Sequence, residues 1–224
     1  MWSVKQRLPL ANDYGKLNGE LLPNNIRCLI IGSSGCGKTT LVIDNFILAP
    51  NWLYWNGRHL YAFSKSLEQP KYQQLQHIYD EIQERFHYQL ATFKPSVIKL
   101  EDCEQQSVII FDDYILEDQN EVRNYFTQGR HKGMDCFYLA QTYSKVPKQL
   151  IRDNANFLCV FRQDNTNLRH IYNEFVVGDM SFNKFKDICS IAWKEPYGFI
   201  TIDMTRKSNN GKYRNKIDHF FIIE

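Results

Sequence analysis

Short apolar runs alternate with segments of helical periodicity along most of the chain. Four mostly apolar runs of five or six residues predict buried strands, because they are too short for helices and end at polar or glycine residues. These runs are 26–31, 107–111, 136–140 and 157–161. A fifth strand is predicted at 59–63, and residues 97–100 indicate a short edge strand.

The segments between these runs favour helices. Apolar residues recur at helical spacing through 70–86, a helical pattern opens at Gly37, and a polar helix is predicted over 118–128. Strands that alternate with helices are typical of an α/β domain, in which a mostly parallel central sheet carries helices on both faces.

The two ends of the chain differ from this pattern. Residues 1–24 are polar and contain prolines and glycines, which predicts an N-terminal arm with little regular structure, and 25–224 form a single domain. Apolar and polar positions alternate before and after the basic stretch 206–214. This pattern predicts a C-terminal β-hairpin over about 197–224.

Composition is ordinary for a globular protein that builds its own core. Hydrophobic residues make up 43% of the 224 residues, and the net charge of +2 does not by itself indicate a nucleic-acid partner. The six cysteines are scattered without metal-ligand spacing, which favours reduced thiols in a reducing compartment. Neither a signal peptide nor an apolar stretch of the ~20 residues that span a bilayer is found, so we expect an intracellular protein without a membrane partner.

The segment after the first strand matches the phosphate-binding pattern G-x-x-x-x-G-K-[ST]. Glycines let several backbone N–H groups turn toward one anion, and the next helix directs its positive N-terminus at the same place. Lys38 would reach the β- and γ-phosphates, and Thr39 would ligate Mg²⁺. A chance glycine-rich turn is the alternative, but the strand before and the helix after favour a nucleotide site formed by Gly32, Ser33, Ser34, Gly35, Cys36, Gly37, Lys38, Thr39 and Thr40.

Two adjacent aspartates, Asp112 and Asp113, follow the strand at 107–111. Ligands of such folds bind at the carboxyl ends of the strands. We expect Asp112 to contribute to the Mg²⁺ site and Asp113 to activate the attacking water as a general base. Gln141 ends the next strand, where it would sense the γ-phosphate or position the water. Polar turns after the two strands are the alternative interpretation.

Other classes of phosphate-loop protein fit less well. A guanine-reading Asn-Lys-x-Asp is missing, since Asn183 to Lys186 fails at the last position, and no ABC-transporter signature occurs. The strand at 59–63, which lies between the loop and the acids in the chain, and the second acid at Asp113 argue against kinases and GTPases. The pattern is that of a RecA-like, additional-strand P-loop NTPase.

Several further motifs lie between Tyr125 and Phe161. They are Arg130-His131, Gln141-Thr142-Tyr143-Ser144, Pro147, Arg152 and Asn154. With the phosphate loop and the acids, they resemble the genome-packaging ATPases of the FtsK–HerA superfamily, in particular the poxvirus-type branch shared by large DNA viruses, virophages and Polinton-like elements. The resemblance covers residues 26–162 well and the tail only loosely.

This resemblance implies a Mg²⁺-dependent ATPase that threads double-stranded DNA into a capsid. Its implied partners are a homo-oligomeric ring of five or six subunits, duplex DNA bound without sequence preference, and a capsid or portal vertex. The implied compartment is the host-cell cytoplasm, at a viral factory, or the nucleus.

In such rings an arginine from the neighbouring subunit completes the active site by neutralising charge on the γ-phosphate. The candidates in this sequence are Arg130 first, Arg152 second and Arg162 third. For each, a surface arginine paired with a carboxylate is the alternative interpretation.

Basic loops facing the pore of the ring would contact DNA phosphates. The expected residues flank Pro147 or lie in the terminal hairpin, where a solvated basic hairpin is the alternative. They are Lys145, Lys148, Arg206, Lys207, Lys212, Arg214 and Lys216.

Two other functions fit the same motifs. One is a cellular HerA-type or conjugative DNA translocase that works without a capsid. The other is an ATP-binding switch or assembly factor that translocates nothing.

Overall fold

The computed structural model describes residues 4–6, 21–48, 58–114, 118–149 and 151–223. The described strands form one ten-stranded sheet. They are β1 (Val4–Gln6), β2 (Arg27–Ile31), β3 (Leu60–Ser64), β4 (Ala91–Lys94), β5 (Val108–Asp112), β6 (Asp135–Ala140), β7 (Phe157–Phe161), β8 (Phe199–Asp203), β9 (Tyr213–Asn215) and β10 (His219–Phe221).

The sheet is divided into a parallel and an antiparallel part. Its order is β1-β10-β9-β8-β7-β2-β6-β5-β3-β4. The six strands from β7 to β4 run parallel, and the four from β8 to β1 pair antiparallel with their neighbours. The carboxyl ends of the six parallel strands therefore share one edge of the sheet, which we call the C-terminal edge.

Helices cover both faces of this sheet, as the alternation of elements predicts. The first helix begins as α1 (Lys38–Thr40) and continues as a π-helix over Leu41–Ile47. It packs with α2 (Pro70–Phe86) into the hydrophobic core on one face. The core on the other face includes side chains of α3 (Asn120–Gln128), α4 (Asn165–Phe175) and α5 (Phe182–Ala192).

The strand that separates β2 from β5 in the sheet is β6. The additional strand is therefore present, but the run at 59–63 does not supply it, because β3 lies on the far side of β5. Chain order and sheet order differ, since parallel strands are joined by crossovers that need not lead to the adjacent position. The correction leaves the additional-strand fold intact.

The edge strand predicted at 97–100 is wrong, because the edge is formed by β4. Pro95 follows β4 directly, and a residue without an N–H cannot continue the ladder. Residues 97–100 instead lead into a 3₁₀ turn at Leu100–Asp102. Tyr114 stabilises the segment between β4 and this turn. Its hydroxyl accepts a hydrogen bond from Val97 N at 2.9 Å and donates one to Pro95 O at 2.7 Å.

The predicted C-terminal hairpin is confirmed and extended. β8, β9 and β10 pair antiparallel in succession, so Tyr213–Asn215, at the end of the basic stretch, is a strand and not part of a loop. β1 adds to β10 at the sheet edge, so three residues of the predicted arm are strand. The other arm residues up to 20 lie outside the described part of the chain, and Leu22 is buried.

Arg214, in β9, contacts several segments of the antiparallel part of the sheet through its buried side chain. Its side chain is 0% exposed and forms an ion pair with the buried Asp203. Further hydrogen bonds run from its guanidinium to Gly211 O at 2.7 Å and to Leu21 O at 2.6 Å. Burial lowers the pKa of Arg214 to about 10, although the charge of Asp203 opposes this shift. Through its hydrogen bond to Leu21 O, Arg214 thus connects the segment before β2 to the C-terminal strands.

Burial corrects part of the predicted DNA contact. Arg214 has no accessible surface, and Lys212, which is also buried, pairs with Asp179 at 2.5 Å. Arg206 lies 3.3 Å from Asp203. Arg214 and Lys212 are thus buried in ion pairs with carboxylates of the same chain and do not supply a DNA-binding surface, whereas Arg206 is half-buried.

The cysteines in the strands are packed as small apolar residues. Cys28, Cys136 and Cys159 are fully buried in β2, β6 and β7. Among the described helices, none is both long and apolar enough to span a membrane.

Replacing Arg214 by Met tests the buried pair. We expect the free energy of unfolding to fall by about 3–5 kcal/mol, because the change leaves Asp203 as a buried charge without its main partner. Chemical denaturation measures it. The exposed Lys207→Met is the control and should change stability by less than about 0.5 kcal/mol. Equal stability of the two variants would contradict this role for the pair.

Candidate nucleotide-binding site

The phosphate loop connects β2 to α1 at the C-terminal edge of the sheet. Gly37, just before the helix, has φ 102°, a conformation that a side chain disfavours. At Gly32 the constraint is space, since an added Cβ would lie 2.5 Å from Cys36 Sγ and 2.7 Å from Phe161 Cβ. The loop and its helix thus take the arrangement that the glycine pattern predicts.

Lys38 is folded back over the loop and is mostly buried. Its Nζ donates hydrogen bonds to Gly32 O at 2.7 Å and to Ser33 O at 3.0 Å. An ammonium group has three donors, so these carbonyls position the charge at the mouth of the loop and leave a donor for an anion.

Asp112 ends β5 with a carboxylate that is only 7% exposed. One of its oxygens, Oδ2, accepts hydrogen bonds from Thr39 Oγ1 at 3.1 Å and from Tyr72 OH at 2.8 Å. Burial raises the pKa of Asp112, while these two hydrogen bonds and the charge of Lys38 oppose the rise. The phosphate-loop threonine and the strand-end acid, which the sequence predicts as one metal site, are therefore in contact.

Asp113 differs from Asp112 in backbone conformation and exposure. Its φ of 59° is left-handed, which aspartate tolerates better than most residues. This turn leaves Asp113 exposed beside the buried Asp112. Gln141 Nε2 lies 3.4 Å from Asp113 Oδ1, so the ends of β5 and β6 present an amide and a free carboxylate oxygen together.

The loop that follows Gln141 is anchored on α4. Tyr143 OH donates to Glu174 Oε2 at 2.6 Å, and Ser144 N donates to Asn167 Oδ1 at 3.0 Å. Arg152 pairs with the other oxygen of Glu174 at 2.8 Å and lies over the Tyr143 ring. Arg152 is therefore a buried structural residue, which argues against its prediction as an arginine finger.

The other two arginine candidates are exposed. Arg130 precedes β6, so it lies at the edge of the sheet opposite the phosphate loop, with Nε 3.4 Å from His131 Nε2. Arg162 follows β7 at the C-terminal edge.

A cleft of about 750 Å³ runs along this edge. It gathers residues that the sequence predicts and others that it does not. Of the predicted site, the lining includes Ser34, Gly35, Gly37, Lys38, Thr39, Thr40, Asp112, Asp113 and Gln141. The additional lining residues include Asn45, Gln69, Lys71, Phe161, Tyr197, Phe199 and Lys216.

Tyr72 was not predicted as a site residue, and its contact with Asp112 generates a test. Tyr72→Phe keeps the ring and removes the donor, so we expect Mg²⁺ to bind the nucleotide complex about 10-fold more weakly. Titration calorimetry of Mg²⁺ with a non-hydrolysable ATP analogue present measures this affinity. Tyr79→Phe, a buried tyrosine on the same helix, should leave the affinity unchanged. Equal losses in both variants would indicate a general packing effect.

Solved structures with the same fold are found among viral proteins. The genome-packaging NTPase B204 of Sulfolobus turreted icosahedral virus 2, in complex with AMPPCP, has a TM-score of 0.58 and 14% identity over 82% of this chain and 94% of that one. Its complex with ATP-γS gives 0.57 and 13%, over 82% and 95%. The DNA-packaging ATPase B204 of Sulfolobus turreted icosahedral virus gives 0.55 and 14%, over the same shares. These similarities confirm the predicted P-loop NTPase fold.

Sequence comparison assigns the family. No curated protein matches this chain in sequence. The family described as "Poxvirus A32 protein" matches residues 17–192, a range that contains the phosphate loop, both aspartates and Gln141. The poxvirus-type resemblance inferred from the motifs is thereby confirmed, and the chain belongs to the poxvirus A32 protein family.

Proposed function

We propose that this protein is a Mg²⁺-dependent ATPase that drives double-stranded viral DNA into a capsid. The observation that carries the hydrolytic part is the contact of Thr39 with Asp112, beside the exposed pair of Asp113 and Gln141. This arrangement would provide a phosphate cradle, a cation site and a water-activating group at one edge of the sheet.

The cradle would bind the triphosphate through backbone N–H groups of the phosphate loop. Lys38, whose ammonium already lies at the mouth of the loop, would neutralise charge on the β- and γ-phosphates. When the triphosphate binds, Lys38 would exchange its hydrogen bonds to the Gly32 and Ser33 carbonyls for hydrogen bonds to phosphate oxygens. Gly35 and Gly37 already have the positive φ values that let backbone N–H groups turn toward an anion.

The residues at the metal site fit Mg²⁺, which prefers oxygen ligands and keeps several waters. Thr39 Oγ1 and the carboxylate of Asp112 would hold it, and Tyr72 would fix the orientation of that carboxylate. When bound, Mg²⁺ supplies positive charge that offsets the charge developing on the β- and γ-phosphates.

Asp113 would accept a proton from the attacking water. Its carboxylate is exposed to the cleft and is not used in the Thr39 contact, so it is free to bind water. Gln141, at 3.4 Å, would orient that water or report the presence of the γ-phosphate to the loop anchored on α4. The separate environments of the two adjacent acids support separate roles for them.

Family membership supports the DNA-packaging part, together with structural relatives described as genome-packaging NTPases. We infer a homo-oligomeric ring in which a neighbour's arginine reaches the cleft, with Arg162 and Arg130 as the exposed candidates. Lys145 and Lys148 are the basic residues we assign to duplex DNA, because both are exposed on the segment that joins β6 to β7.

Hydrolysis and its coupling are tested with Asp113→Asn. We expect the variant to bind ATP as the wild type does, because the phosphate loop is untouched, and to hydrolyse it at least about 100-fold more slowly. Wild-type hydrolysis should rise when duplex DNA is added. Steady-state ATPase assays with and without DNA, combined with a nucleotide-binding titration, measure these effects.

Two results would contradict the proposal. Normal hydrolysis by Asp113→Asn would show that another group activates the water. A wild-type rate that duplex DNA leaves unchanged would favour an ATP-binding switch or assembly factor over a translocating motor.

A second experiment tests the DNA contacts. The double change Lys145→Ala and Lys148→Ala should weaken duplex binding equally for unrelated sequences and reduce the slope of log K against log salt by about 2. Fluorescence anisotropy over a salt series measures the slope. Arg206→Ala with Lys212→Ala removes the same charge from the internally paired residues and should leave the slope unchanged. A change in slope only in this second pair would move the DNA surface to the tail.

A further inference from the structure

The direction in which a nucleotide lies in the cleft follows from the order of the strands. The phosphate loop follows β2, and the acids that would meet the γ-phosphate follow β5, two places away on one side. On the other side of β2 lie β7 and then β8. Since the γ-phosphate end points toward β5, the nucleoside end must extend toward β7 and β8.

The segment before β8 brings the chain back to the C-terminal edge of the sheet, beside the end of β7. β8 runs antiparallel to β7, with Phe199 opposite Phe161, so the start of β8 lies where β7 ends. The segment before β8 therefore lies beside the phosphate loop, and it presents Tyr197. An added Cβ on Gly37 would lie 3.3 Å from Tyr197 Cδ1, which shows how closely the ring approaches the loop.

Tyr197 combines an exposed aromatic ring with an unusual backbone conformation. The side chain is 71% exposed, and its φ of 57° is rare for a bulky residue. The turn is firmly fixed, because Gly198 N bonds Glu195 O at 3.0 Å and a Cβ on Gly198 would lie 2.2 Å from Ala192 O. A large aromatic ring is thus presented to solvent inside the cleft from a fixed backbone turn.

The surroundings of Tyr197 suit a flat, mostly apolar group with a phosphate at one end. Phe161 and Phe199, whose ring centroids are 5.2 Å apart, lie at the same end of the cleft. Lys216 also lines this end, exposed and with φ 55°, and its backbone N donates to Phe199 O at 3.0 Å. Aromatic faces stack on any nucleobase, and an ammonium group suits the ribose–phosphate side.

We propose that Tyr197 is the surface on which the base of the bound nucleoside triphosphate stacks, with Lys216 beside the sugar and α-phosphate. This inference rests on the proposed function, because it assumes that the phosphate loop binds a nucleoside triphosphate. It assigns a task to the segment between α5 and β8, where none of the phosphate-loop motifs falls.

The test compares ligands with and without a base on the full-length chain. Tyr197→Ala should bind ATP about 10-fold more weakly than the wild type, while its affinity for inorganic tripolyphosphate stays within about twofold. Tyr197→Phe keeps the ring and should bind both ligands as the wild type does. Tyr88→Ala, which removes an exposed tyrosine outside the cleft lining, is the matched control and should also have no effect.

A spectroscopic readout separates stacking from other causes of weaker binding. Fluorescence of 2-aminopurine riboside triphosphate should be quenched on binding to wild type and Tyr197→Phe, and the quenching should be lost in Tyr197→Ala. Unchanged ATP affinity and quenching in Tyr197→Ala would overturn the inference, as would equal losses for ATP and tripolyphosphate, which would make Tyr197 a support of the loop.

The results that would contradict the proposed function differ from those that would contradict base stacking on Tyr197. If the wild type binds neither ATP nor tripolyphosphate, or if Lys38→Ala binds both as well as wild type does, the phosphate-loop assignment falls and the stacking assignment falls with it. If phosphate binding depends on Lys38 but base binding does not depend on Tyr197, only the stacking assignment is lost.

Discussion

The hydrogen bond between Thr39 Oγ1 and Asp112 Oδ2 is the constraint on which the rest of the site depends. It joins residues that are 73 positions apart in the chain, one at the start of a helix and one at the end of a strand. The two meet only if β2 and β5 run parallel with their ends level, one strand apart. The register of β6 against both neighbours provides this, since Ile31 lies opposite Ala140 and Asp112 opposite Leu139. The proposed cation site is thus a product of the sheet, and local loop geometry alone would not create it.

The same sheet order separates the tasks along the cleft. On the β5 side, burial and two donors restrain Asp112, while the left-handed turn at Asp113 frees the second acid. On the β8 side, the antiparallel return of the chain brings aromatic residues to the phosphate loop. The buried pair of Arg214 and Asp203 stabilises that return, so side chains on the other side of β2 from the acids support the end of the cleft where we propose that the nucleoside binds.

Sequence predicted the parts of this arrangement that local chemistry determines. Central strands were found because burial on both faces produces continuous apolar runs, and the phosphate loop because its glycines and Lys38 are each required by the anion. The sequence does not predict β4, because its residues lie at the sheet edge and are only partly buried. The apolar periodicity does not single out the helices α4 and α5, although Asp164 and Ser181, which cap their N-termini, are residue types that favour a helix start. The burial of Arg214 and the position of Tyr197 could not be read from the sequence, since both depend on how the antiparallel strands fold back.

A crystal structure of the protein with Mg²⁺ and a non-hydrolysable ATP analogue tests the central claim most directly. The account predicts Mg²⁺ about 2.1 Å from Thr39 Oγ1, with the Asp112 carboxylate binding it directly or through one water. The γ-phosphate should point toward Asp113 and Gln141. Mg²⁺ held away from both Thr39 and Asp112, or a triphosphate running in the opposite direction, would contradict the account.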